Sequence, residues 1–243
     1  SSSTFNSDDV LDGGAGSDTF SVTASGTASV VANFTSIETV RALNGGASST
    51  DYALNMIGAT GATELVSRLS TGQVSFDNIQ TAATITAYGT QTSSKTTAGF
   101  LNSLASGTAD SVNLKVDGGA DTTFQVSGTS STDEFETINL ESAGATKNTV
   151  AGLKDFGGTD VAGVTALNIT GAGDLDITLA GGGTSAVASA SAATGDVKMV
   201  WGGNYLTMAG GSGADTFDVT ATGFLGSTAP KTITGGSGAD KVM

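Results

Sequence analysis

The sequence predicts an all-β fold, a parallel β-solenoid or β-roll with coils of unequal length and few short helices. Three observations predict it. A glycine-rich nonapeptide, G-G-x-G-x-D-x-U-x with U a large apolar residue, recurs at 13–21 (GGAGSDTFS), 210–218 (GGSGADTFD) and 235–243 (GGSGADKVM). Between the copies, segments rich in Val, Ile and Thr alternate apolar and polar residues, which is the period of half-buried strands. The composition agrees, with 36 glycines against one proline in 243 residues, no three-residue glycine period, and 38% hydrophobic residues to build a core.

The elements follow in chain order. Residues 4–12 (TFNSDDVLD) keep the register of the first copy, with Asp9 in the Asp position and Leu11 in the apolar one. The first copy supplies Gly13, Gly14, Gly16 and Asp18 for a corner and Phe20 for the strand after it. TSIETVRAL (35–43) and DEFETINLE (133–141) share an apolar-Glu-Thr-apolar kernel. GATELVSRLS (61–70) and TAGFLNSLAS (97–106) read as short helices, placing Leu65 and Leu69, or Phe100, Leu101 and Leu104, on one face, with Glu64 and Arg68 as a surface pair. NIQTAATITAY (78–88), SVNLKVDGG (111–119) and VTALNITGAGDLDITL (164–179) alternate as strands. GGADTTFQV (118–126) is a shortened repeat that retains Gly118, Gly119, Asp121 and Phe124. Residues 86–97 and 180–195 are polar or small enough to be loops, and mark sub-boundaries within one elongated unit spanning 1–243. WGGNYLTMA (201–209) keeps Met208 but carries Leu206 where the motif has Asp; its Trp201 and Tyr205 read as core aromatics. The last two copies bring Gly210, Gly211, Gly213 and Asp215, then Gly235, Gly236, Gly238 and Asp240. They are spaced more widely than two nonapeptides, so Asp215 and Asp240 stack only if 220–232 bulges out.

These corners suit one ligand class. Glycine tolerates positive φ and lets carbonyls turn inward without an intervening Cβ. Calcium takes six to eight oxygen ligands, which bent backbone and an Asp side chain can provide. The turns at 4–21 and 201–243 are therefore predicted calcium sites, and Gly118, Gly119 and Asp121 weaker ones. Other chemistries are excluded. With no His and no Cys there is no Ser-His-Asp or Cys-His unit, no His or Cys zinc site and no disulfide. A net charge of −14 argues against nucleic acid, and no apolar run is long enough for a membrane span. Asp174 and Asp176 could form a glycosidase-like carboxylate pair, but polar residues on a solvated strand face explain them better. Asp133, Glu134 and Glu136 could add a metal ligand or serve only solubility, and solubility is the favoured reading. The expectation is a non-enzymatic chain.

The nonapeptides resemble those of RTX proteins, which are exported by type I secretion and folded outside the cell by calcium. The middle of the chain, rich in Thr, Ala, Ser and Gly and without Cys, is similar to the surface-layer (S-layer) proteins of Gram-negative bacteria such as the RsaA family of Caulobacter. The resemblance implies a secreted, cell-surface structural protein that binds calcium at the corners named above. It also implies self-association into a two-dimensional lattice, and attachment to a cell-surface polysaccharide through a region outside this segment. An RTX adhesin, or a non-catalytic part of a secreted RTX enzyme, are the other readings the motif allows. The chain reads as a segment of a larger protein.

Overall fold

The computed structural model describes residues 5–91, 95–128, 134–155, 157–220 and 229–243. It is a β-solenoid of about nine turns. Its first third holds β1 (Val10–Asp12), β2 (Thr19–Ala24), β3 (Ala28–Thr35), β4 (Thr39–Asn44), β5 (Asp51–Thr60), β6 (Glu64–Arg68), β7 (Gln73–Ile79) and β8 (Thr84–Tyr88). The middle holds β9 (Lys95–Phe100), a 3-10 turn at Asn102–Leu104, β10 (Ser111–Asp117), β11 (Asp121–Ser127), β12 (Thr137–Ser142), β13 (Asn148–Lys154) and β14 (Ala166–Gly171). The last third holds β15 (Leu175–Ala193), β16 (Val197–Ala209), β17 (Thr216–Asp218), β18 (Thr232–Thr234) and β19 (Lys241–Val242).

Odd and even strands form two parallel ladders, each strand pairing with the one two places on: β1 with β3, β3 with β5, and β2 with β4, β4 with β6. β15 and β16 are long enough to serve both ladders, and β15 turns the corner at Gly181 and Gly182, both at positive φ. Coil length varies as the irregular spacing predicts. Lys198 pairs with Thr216, 18 residues on, whereas Asp121 pairs with Thr149, 28 residues on.

The alternation seen in the sequence is what fills the interior. Phe20, Val40, Leu65, Ile85, Leu114, Leu140 and Ile169 stack in register through the even ladder. Val30, Leu54, Phe76 and Ala98 do the same in the odd one. Most of these are sealed from solvent, and such burial is the dominant stabilising term. Trp201 and Tyr205 are core residues, as expected, with the Trp201 indole Nε1 donating to the Tyr205 carbonyl at 3.1 Å.

Three expectations are corrected. The segment 61–70 is strand β6 and not a helix; Glu64, Val66 and Arg68 face outward while Leu65 and Ser67 are buried inward. The segment 97–106 is the end of β9 followed by the 3-10 turn, so it holds no α-helix. In both, the apolar spacing of four that suggests one helical face is also a multiple of two, and strand pairing with neighbouring coils decides the outcome. The segment 180–195 is mostly strand: Ala186, Ala188 and Ala190 line the interior at 0% exposure while Val187, Ser189 and Ser191 face out. Small side chains fill the coil here. Strands pair across both proposed sub-boundaries, β8 with β10 and β15 with β16; residues 92–94 of the first lie outside the described set.

One acidic pair lies within the ladder itself. Burial pushes the Asp51 carboxyl up, against the opposing effect of hydrogen bonds from Ser75 and Gln73 and the charge of Lys95. Burial pushes Asp77 up as well, and the Asp51 charge adds to it. A carboxyl whose folded pKa is raised binds its proton more readily when folded, so its contribution is destabilising above that pKa and vanishes as pH falls toward the unfolded value of about 4. Asp77→Asn is therefore expected to raise the melting temperature at about pH 7 and to flatten its dependence on pH between about 4 and 7. A pH profile parallel to that of the parent would show that Asp77 carries no such penalty.

Candidate metal centre

The nonapeptide aspartates occupy solenoid corners, and Asp18 and Asp215 are each stacked on an acid from the following coil. Thr19 pairs with Thr39, which sets Asp18 beside Glu38; the Asp18 amide donates to Glu38 Oε2 at 2.7 Å, and the Asp18 carbonyl accepts from the Thr39 amide at 3.1 Å. The C-terminal corner repeats this. The Asp215 amide donates to Asp240 Oδ1 at 3.0 Å, and the Asp215 carbonyl accepts from the Lys241 amide at 2.8 Å. Asp215 and Asp240 thus stack in the way that required a bulge at 220–232, of which 221–228 lie outside the described residues. A third pair appears at a corner without the glycine motif: the Asp110 amide donates to Glu136 Oε2 at 2.8 Å, and the Thr137 amide to the Asp110 carbonyl at 3.0 Å.

The two motif corners differ in how their carboxylates are used. Asp215 is 1% exposed, with Oδ1 accepting from the Val197 amide at 2.8 Å and Oδ2 from the Gly211 amide at 2.7 Å. Burial pushes its carboxyl up despite those two amides, and the charges of Asp240 and Asp196 push it further. The neighbouring coils extend the acidic edge: the Ala214 amide donates to Asp196 Oδ1 at 2.7 Å, and the Asp196 amide to Asp174 Oδ1 at 3.0 Å. Asp174 therefore belongs to this corner, while Asp176 is paired with Lys147 at 2.7 Å. At the first corner, Asp18 Oδ2 is buried with no hydrogen-bond partner among the described residues. An unpartnered buried carboxylate oxygen is costly unless a cation or water meets it.

The glycines explain how the corners come so close. A Cβ on Gly13 would overlap the Ser36 carbonyl and the Asp18 side chain, and one on Gly210 the Gly235 carbonyl and Asp215. On Gly211 it would overlap the carbonyls of Ala193 and Ala190, and on Gly213 that of Gly195. Gly236 and Gly238, both at positive φ, face the carbonyls of Gly211 and Gly213, and Gly235 faces the Asp240 carboxylate. Gly14 and Gly16 also have positive φ; a Cβ on Gly14 would meet open space, and one on Gly16 only Asp18 Oδ2 at 3.9 Å. Among the described residues no three acidic side chains converge into one cluster, so an ion at such a corner would draw on carbonyls together with one or two carboxylates. That all-oxygen donor set fits a hard divalent cation.

Two sequence-based candidates behave differently. Asp9 closes a local turn, its Oδ2 accepting from the Asn6 amide at 2.9 Å and from Asn6 Nδ2 at 3.2 Å. At Gly118, Gly119 and Asp121, the corner is held by a neutral side chain. Asn148, fully buried, accepts from the Gly119 and Ala120 amides at 3.1 and 3.0 Å and donates to the Ala143 carbonyl at 2.9 Å. Asn44 does the same at another corner, accepting from the Gly46 amide at 3.0 Å and donating to the Gln73 carbonyl at 2.9 Å. The amides do there what a cation can do elsewhere, gathering carbonyls from successive coils. Asp133 lies outside the described residues, while Glu134 and Glu136 accept backbone amides from Gly163 and Asp110. Sequence inspection missed Glu38, Asp110, Asp196, Asn44 and Asn148, and favoured solubility over metal ligation for Glu136, which the structure stacks on Asp110. The Glu-Thr kernel was the available signal, since Glu38-Thr39-Val40 aligns in register with Asp18-Thr19-Phe20.

No family model, curated protein or solved structure matches this chain.

Proposed function

We propose that this chain is a calcium-stabilised structural segment of a secreted bacterial surface-layer protein, and that its activity is ordered self-association at the cell surface. The observation that carries the reading is the orphaned Asp18 carboxylate oxygen at a corner stacked on Glu38, matched at the other end by the Asp215–Asp240 stack. Like charges one coil apart repel, and a divalent cation converts that repulsion into cross-linking of coils. Contacts between copies follow the same electrostatics. A chain of net charge −14 resists close approach to its own kind until cations intervene, and the solenoid offers flat flanks such as the Asn113–Asn139–Asn168 side-chain ladder.

Sedimentation at fixed protein concentration with each ion in turn tests the assembly. Calcium is expected to raise the sedimenting mass, strontium to substitute in part, and magnesium to fail because it demands tight octahedral geometry and keeps its water. Equal assembly by magnesium would reduce the effect to charge screening. No change in mass with any ion would favour an adhesin that acts as a single copy.

A further inference from the structure

Both arginines of the chain lie on the outer face of the even ladder. Arg41 on β4 aligns with Val66 on β6, Thr86 on β8 and Lys115 on β10, and Arg68, Tyr88 and Asp117 form the next outward row. The two rows border a cavity of about 310 Å³ with Glu64 at one side. A second hollow of about 140 Å³ shares Arg41 and Arg68 and reaches Ser21 and Thr23 on β2. Together they make a trough that crosses five strands, roughly 19 Å along the solenoid axis at about 4.8 Å per strand step.

Of the trough's three cations only Lys115 is paired within the fold, with Glu141 at 3.5 Å. Among the described residues neither guanidinium has an ion-pair partner, whereas Lys147, Lys154 and Lys198 each sit on an aspartate. Arg68 instead rests against the Tyr88 ring, 5.8 Å from its centroid. That ring stays 38% exposed, and a Cβ on Gly118 would come within 3.3 Å of its edge. Glu64 is held by the Thr86 hydroxyl at 3.0 Å. The trough thus offers two unpaired forks for carboxylates, an exposed aromatic face, and carboxylates able to accept hydroxyl donors.

We propose that this trough binds an acidic saccharide, a chain of uronic-acid type whose carboxylates meet Arg41 and Arg68, whose ring face lies on Tyr88, and whose hydroxyls donate to Glu64 and Asp117. An acidic peptide would satisfy the arginines but bring few donors for the two carboxylates, and a nucleic acid would need more positive charge than two arginines and a lysine supply. The inference stands apart from the calcium reading, which concerns other residues.

Titration calorimetry on the whole chain, at one fixed calcium concentration, tests it with a galacturonic-acid oligomer, a neutral glucose oligomer and short polyglutamate as probes. The galacturonate oligomer is expected to bind at least tenfold more tightly than either of the others. The double variant Arg41→Gln/Arg68→Gln is expected to lose that affinity at least tenfold with an unchanged melting temperature, and Tyr88→Ala to weaken the saccharide but not polyglutamate. Three outcomes would overturn the proposal: no galacturonate binding by the parent, full retention by the double arginine variant, or polyglutamate bound as tightly. Loss of self-association in the double variant, with no saccharide bound by the parent, would instead make the trough a contact between copies.

Discussion

Gly211→Val is expected to unfold the C-terminal coils, at a loss of about 4 kcal/mol or more, the range reserved for clashes that cannot relax. The Cβ it introduces falls on the carbonyl oxygens of Ala193 and Ala190. These are backbone atoms of the preceding coil, where the Ala193 carbonyl also accepts from the Ser212 amide at 3.1 Å. Neither can retreat without parting two coils. Gly14→Val is the informative comparison. Sequence reasoning alone makes it a severe change, worse than loss of a corner Asp, because a β-branched residue resists the corner backbone; the Gly14 φ of 82° does strain any L-residue. Yet a Cβ there meets nothing within 4 Å, so the loss is expected to stay at about 1–2 kcal/mol, the left-handed backbone term. Urea unfolding of both variants in calcium checks this. Equal losses would mean that the corners are not stacked as described.

The second large effect is expected at Asp215. Asp215→Ala removes the acceptor for two buried amides, those of Val197 and Gly211, and each unpaired donor costs about 1–3 kcal/mol. A calcium-free loss of about 2–6 kcal/mol follows. Removing the charge also relieves repulsion from Asp240 and Asp196, but both of those are exposed and screened, so the amide term wins. Asp18→Ala should behave in the opposite way. Its Oδ2 serves no donor among the described residues, so the variant is expected to be as stable as the parent without calcium and to lose only the response to the ion. Calcium-free melts of the two variants separate these roles, and a large calcium-free loss at Asp18 would remove the case for its free oxygen as a ligand.

The corners were legible in the sequence because GGxGxD needs both a missing Cβ and a carboxylate at set positions, and Asp18, Asp215 and Asp240 are found at those corners. The strands showed wherever β-branched residues alternate. They were hidden at 186–190, where alanine alone fills the interior, and at 61–70, where Leu69 adopts a φ of 50° and ends the strand. The partners Glu38, Glu136 and Asp196 lie 18 to 26 residues from the amides they accept, and the caps Asn44 and Asn148 tie a near neighbour to groups 28 to 32 residues away. Coil length varies from turn to turn, so no fixed period brings them into view; the register must be known first. The arginine trough was obscured for the same reason, since Arg41, Arg68 and Lys115 have no common spacing in the chain.

The central claim is that the acidic corners are built around calcium, and thermal unfolding of the intact protein in EGTA and in about 10 mM calcium tests it most directly. For one site with a dissociation constant of about 10⁻⁴ M, the ion adds roughly 2.7 kcal/mol. In a domain of this size that is an upward shift of the midpoint by roughly 5–10 °C. Such a shift is expected with calcium, and a much smaller one with magnesium at equal ionic strength. A midpoint that does not move when calcium replaces EGTA would contradict the claim.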